Sequence, residues 1–272
     1  MTSPLHSVCI MDLKHDAKVN CVCVGEIAGR NYLFTACSDK KARMYDIDTY
    51  KLIKEWPHDD AVISLCVVKI DCKDYLFTGC YDKMARMYDI NTGEMLKKFK
   101  HNNLVWSVCV VNTDGAYYLF IGSHSGNKGV YEIDSGECID LWDQEDLQFS
   151  ECVGKIDGND YILTANVPDH DYLKGDIIIY DVNNSCELIK EWNHNCIVYS
   201  ACVGKVSGRD YLFMGCNDKT ARMYDFKTGK LINEWKHPES VWSVCICELS
   251  DTKTYLFTGC LDRVRTYTIK ME

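Results

Sequence analysis

No apolar run in this chain approaches the ~20 residues that a membrane-spanning helix needs. The opening stretch "MTSPLHSVCIMDLKHD" lacks the basic flank and long apolar core of a secretory signal. A cytoplasmic chain with no membrane attachment is therefore expected. Basic residues are in deficit: 30 Lys and Arg stand against 40 Asp and Glu, a net charge of -10. That balance argues against nucleic acid as a partner and suits simple solubility. Missing too are a glycine-rich phosphate loop, a metalloprotease helix and a nucleophile elbow, so the common phosphate-binding and hydrolase signatures are absent. No helical period is sustained, which turns attention to strands. Cysteine is abundant, but 17 is an odd count in a chain large enough to fold without staples. The thiols read as reduced.

What is present is one phrase written again and again. "YLFTGCYDKMARMYD" (75–89) recurs as "YLFTACSDKKARMYD" (32–46), "YLFMGCNDKTARMYD" (211–225) and "YLFTGCLDRVRTY" (255–267), with a worn copy, "YLFIGSHSGNKGVYE", at 118–132. Unit starts at His15, His58, His101, Gln144, His194 and His237 are spaced 43, 43, 43, 50 and 43 residues apart. The remnants at the two ends together make one more unit, so six units are expected, one of them cut across the termini. Each holds four short strand signals rich in aromatic and β-branched residues, as in "VISLCVV", "DYLFTG", "MARMYDI" and "EMLKKFK". Units of ~40–45 residues with four strands have the spacing of propeller blades, each of which needs neighbours to cover its faces. The expected fold is all-β: a six-bladed β-propeller of four-stranded antiparallel blades, filling residues 1–272 as a single domain. Aligning "LKHDAKV" (13–19) on "WPHDDAV" (56–62) places "SVCIMDL" (7–13) as the fourth strand of the last blade, closing the ring.

Along its whole length the chain resembles WD40 repeats. The family pattern is a His before the first strand, a Ser or Thr ending the second, an Asp in the next turn and Trp-Asp ending the third. His15, Thr35, Asp39 and Tyr45 occupy those places in the first unit, His58, Thr78, Asp82 and Tyr88 in the second, and His237, Thr258, Asp262 and Tyr267 in the last. The resemblance implies that these side chains form a buried hydrogen-bond relay. The consistent departure is Tyr for Trp, and a phenol can both donate and accept.

Two residue columns invite chemistry. Cys23, Cys66, Cys109, Cys152, Cys202 and Cys245 recur on the first strand, but equivalent positions on adjacent blades lie roughly 10 Å apart, too far for one metal. They are read as small packing residues, with no metal and no cofactor expected. The once-per-unit histidines are likewise read as structural, and Arg43, Arg86, Arg222 and Arg265 as partners of turn carboxylates. No catalytic residue is assigned.

Departures from the repeat carry more information. The third unit replaces its Asp and Arg with "HSGNKGV" (124–130) and its Thr with Ile121; the fourth begins with Gln144 and inserts "NVPDHDYLKGD" (166–176), which includes His170. On that face of the disc another column reads Asn20, Ile63, Trp106, Phe149, Tyr199 and Trp242. Two readings stand for it: packing between blades, or an aromatic arc that anchors a partner. The second makes Trp106, Phe149, Tyr199, Trp242, Tyr81, His124 and His170 the expected partner-binding residues. The expected function is a non-catalytic scaffold, monomeric as an isolated domain, that binds a protein or peptide on the loop face around the central channel. Substrate recognition within a ubiquitin-ligase-type assembly is one alternative. A propeller enzyme at the channel mouth is the other, disfavoured because that column offers no metal ligand or proton shuttle.

Overall fold

Successive side chains of a strand point to opposite faces, yet Leu33 and Phe34 are consecutive and both fully buried. A strand with two buried faces needs a cover on each. A computed structural model, which describes residues 5–113, 115–123, 127–143, 147–156, 159–167, 175–181, 187–250 and 253–271, supplies both covers.

The described strands form six four-stranded antiparallel sheets, the blades of a propeller. The innermost strands, in chain order, are Val19–Ile27, Val62–Ile70, Val105–Thr113, Leu147–Ile156, Val198–Val206 and Val241–Ser250. Each is followed outward by three more strands of its own blade, and neighbouring innermost strands touch all the way round.

The seams between blades explain the repeated phrase. In each seam the second apolar residue of one "YLF" triplet, or its equivalent, meets the first of the next blade. The pairs are Phe34 with Leu76, Phe77 with Leu119, Phe120 with Ile162, Leu163 with Leu212, Phe213 with Leu256, and Phe257 with Leu33. The last pair joins the sixth blade to the first. One short phrase thus supplies both halves of every seam.

Closure uses the N-terminal strand. Leu5–Lys14 pairs antiparallel with Arg263–Met271, from Leu5 opposite Met271 to Lys14 opposite Arg263. The backbone N–H of His15 donates to the Asp262 carbonyl at 2.6 Å. Asp12 meets Arg263 at 3.1 Å and Arg265 at 3.5 Å. Trp235 Nε1 donates to Ser7 Oγ at 2.7 Å.

A feature of the innermost strands positions the site. Each carries a register break at its second or third residue, between Val19 and Cys21, Val62 and Ser64, Val105 and Ser107, Gln148 and Ser150, Val198 and Ser200, and Val241 and Ser243. The extra residue is Asn20, Ile63, Trp106, Phe149, Tyr199 or Trp242. A β-bulge bends its strand and re-aims the side chain it carries. The serine after the bulge then ties blades together: Val108 N donates to Ser64 Oγ at 3.1 Å, Val244 N to Ser200 Oγ at 3.2 Å, and Val22 N to Ser243 Oγ at 2.9 Å.

Candidate functional site at the channel mouth

Five of the six bulges bring their extra residue to one end of the central channel. Tyr199 and Trp242 stack there, with ring centroids 4.0 Å apart and planes at 10°. The Lys18 ammonium sits 3.2 Å from the centroid of the Trp242 ring, a cation over a π face. Burial brings the Lys18 pKa down to about 8. Across the opening, Tyr81 from the blade 2 turn packs against Trp106 of blade 3, centroids 5.9 Å apart at 39°. Asn20 and Ile63 complete the described lining. Asn20 is fixed by bonds from its Nδ2 to Ser38 Oγ (2.9 Å) and the Val62 carbonyl (2.8 Å). The aromatics are half-buried, each keeping part of its face in solvent.

Below this layer lie the side chains of Cys21, Ser64, Ser107, Ser200 and Ser243. Deeper still is a cavity of about 410 Å³, to whose wall Cys23, Cys66, Cys109, Cys152, Cys202 and Cys245 all contribute. Burial pushes the Cys66 thiol up to about 11 and those of Cys23 and Cys202 well above their ordinary value. Such thiols are neutral at pH 7, whereas a metal ligand is a thiolate. Among the described residues, the groups of three potential ligands close enough to share an ion do not include this ring.

The histidines form short hydrogen-bond chains inside the blades. His15 Nε2 lies 3.0 Å from Thr35 Oγ1 and 3.3 Å from Tyr45 Oη. The same contacts are 2.8 and 3.3 Å for His58 with Thr78 and Tyr88, and for His237 with Thr258 and Tyr267. A phenol therefore makes the indole's contact. The aspartates differ from the four-membered relay that the resemblance implies. Asp39 and Asp82 stand outside these chains, each taking two bonds from Arg43 or Arg86 and one from the backbone N–H of Lys41 or Met84. A guanidinium four residues away out-competes a neutral ring for a carboxylate. Arg265 pairs with Asp12 rather than the turn residue Asp262, because the closing strand sets Asp12 directly opposite it.

Blade 3 has no hydroxyl at Ile121. Its His101 ring presents Nδ1, not Nε2, to Tyr131 Oη at 3.3 Å. His124, Gln144 and the insertion residues 168–174, with His170 among them, lie outside the described residues. Phe149 is placed at its bulge by the backbone register, and its side chain is outside the description.

The sequence-predicted aromatics Trp106, Tyr199, Trp242 and Tyr81 are thus brought to one opening. Lys18 was missed. It occupies the position held by Ala61, Leu104, Ile197 and Ser240 in other blades, and that lone basic departure was the available signal.

The family model described as "WD domain, G-beta repeat" matches residues 7–46. That stretch runs from the closing strand through the third strand of blade 1, one repeat that straddles two blades. Six blades of this kind close into a ring. The chain is a six-bladed β-propeller whose residues 7–46 match a WD40 repeat. No curated protein matches the chain. WD40 propellers typically serve as protein-interaction scaffolds and are generally non-catalytic. The channel mouth of this propeller has few ionisable groups. Among its described residues, the ionisable side chains are one lysine and two tyrosines, Tyr81 and Tyr199, both of whose phenols burial pushes upward.

Proposed function

We propose that the propeller is a rigid cytoplasmic platform that receives a peptide or protein segment across the channel mouth. The observation that carries this reading is the convergence of Trp106, Tyr199, Trp242 and Tyr81, each half-exposed, around one opening. Aromatic anchors of this kind dominate interface energetics because they bury large area at low entropic cost. Lys18 adds a cation that a carbonyl or carboxylate of the incoming segment would engage. The bulges hold Trp106, Tyr199 and Trp242 on sheet backbone rather than on free loops, so little ordering entropy is lost on binding.

The test is affinity capture with the intact protein against a Trp106→Ala, Trp242→Ala double variant. The partner is expected to be lost or weakened by about 2 kcal/mol or more, roughly 30-fold in Kd. Melting temperature, checked alongside, should change little, since both rings face the opening. Capture at full strength by the double variant would reject the mouth as the binding face.

A further inference from the structure

Blade 5 departs from its siblings at one corner. In blades 1, 2 and 6 the thiol that ends the second strand (Cys37, Cys80, Cys260) donates to a backbone carbonyl, that of Ala17, Asp60 or Glu239, at 3.2–3.3 Å. The residue at the position of that carbonyl in blade 5 is itself a cysteine, Cys196, and its sulfur lies beside that of Cys216. The two Sγ atoms and a carboxylate oxygen of Asp218 all lie within 4.8 Å of one another.

The arginine has shifted its bonds to match. Arg43 and Arg86 each give both terminal nitrogens to the aspartate of their turn. Arg222 gives only Nη2 to Asp218, and turns Nη1 to Cys196 Sγ at 3.3 Å. A guanidinium within hydrogen-bond distance favours the thiolate form of that sulfur. The Cys216 thiol first, and Arg222 after it, bring Cys196 below an ordinary thiol against the pull of burial, while Cys216 is raised. Access is uneven as well. A cavity of about 240 Å³ is lined by Cys196 with His194, Asn195, Asp218, Arg222 and Tyr224, and Cys216 lies behind it. Cys196 lines this cavity with 7 % of its surface exposed, whereas Cys216 has none exposed.

We propose that Cys196 and Cys216 form a hydroperoxide-reactive dithiol, a modification site in which Cys196 is attacked first and Cys216 resolves it. The Cys196 thiolate donates an electron pair to the near oxygen of a hydroperoxide. The O–O bond breaks, sulfur is oxidised to a sulfenic acid, and the departing oxygen takes a proton to leave as water or an alcohol. The Cys216 sulfur, losing its proton, then attacks the sulfenyl sulfur. An S–S bond forms, the S–O bond breaks, and the hydroxyl leaves as water with that proton. Two thiols and one hydroperoxide give one disulfide, one water and one alcohol or second water. Metal binding fits the corner less well, because Arg222 already bonds both Cys196 and Asp218 and a cation would have to expel it.

The experiment is hydrogen peroxide treatment of the intact protein at pH 7, with differential alkylation and peptide mapping. A Cys196–Cys216 cross-link that dithiothreitol reverses is expected, formed before the channel thiols Cys66 and Cys245 react. Cys216→Ser should stop at a sulfenic acid on Cys196 that dimedone traps. Arg222→Gln should slow the first step roughly tenfold. The wild-type map needs no variant to fold, so it decides alone. If Cys196 reacts no faster than Cys66, the proposal fails. It fails equally if zinc alone is retained by the pair and peroxide leaves both sulfurs reduced.

Discussion

His237 Nδ1 lies 3.1 Å from the Trp235 carbonyl, and His58 Nδ1 lies 3.0 Å from that of Trp56. A carbonyl only accepts, so Nδ1 carries the ring proton and Nε2 is left to accept from the threonine or tyrosine hydroxyl. A second proton would have to be placed on Nε2 inside the blade. Burial accordingly lowers both pKa values to about 4. In the unfolded chain the same rings bind a proton near pH 6.5. The stability they contribute is therefore complete above about pH 6.5 and is lost as pH falls toward 4, because the unfolded state takes up the proton first. Burial works against ionisation of Asp39 and Asp82, yet the bonds from Arg43 and Arg86 win and hold both below the usual carboxylate range. Those groups act only at lower pH. The unfolding free energy read from urea titrations should fall between pH 7 and pH 5, by up to about 1.4 kcal/mol per pH unit for each of the two histidines. A His58→Gln, His237→Gln protein should show a flatter slope, and an equal slope would contradict a neutral ring in the relay. The histidine column was legible in the sequence because it recurs at fixed spacing. Which nitrogen it uses was not, since Ile121 turns His101 around and only the packed blade shows it.

At the scale of one strand, Leu5–Lys14 does work that sequence spacing could anticipate and ladder register makes concrete. Leu5 and Leu13 pack on the fifth–sixth and sixth–first seams, and Asp12 faces both Arg263 and Arg265. Without the strand, Arg263–Met271 becomes an open edge beside solvent, a template for pairing with another chain. Removing residues 1–13 should cost a few kcal/mol from the half-buried leucines, the Trp235 bond to Ser7 and the lost ladder. Size-exclusion chromatography should show self-association, and calorimetry a lowered melting temperature. A monomeric deletion protein that melts with the intact one would overturn the closure. The bulges were less legible. Their residues were visible as a column, but both faces of these strands are buried, so there is no clean alternation for a bulge to break and nothing in "VWSVCV" announces that Trp106 is the extra residue.

Across the whole molecule, five copies of one phrase and its divergent counterpart in blade 4 build six like seams, and two further departures lie at the channel mouth and the blade 5 corner. Blade count and closure were readable because each unit must cover the next. The Lys18–Trp242 and Arg222–Cys196 contacts were not, because each joins positions that the repeat pattern treats as separate columns. The central claim is that a partner lands on the mouth. Amide hydrogen exchange of the propeller, with and without its captured partner, tests it most directly. Protection is expected in segments 15–21, 58–64, 101–107, 194–200 and 237–243, which carry or lead into the described bulges. Protection confined to the opposite turns at 27–30, 70–73 and 206–209, or to the outer strands, with the mouth exchanging as before, would contradict it.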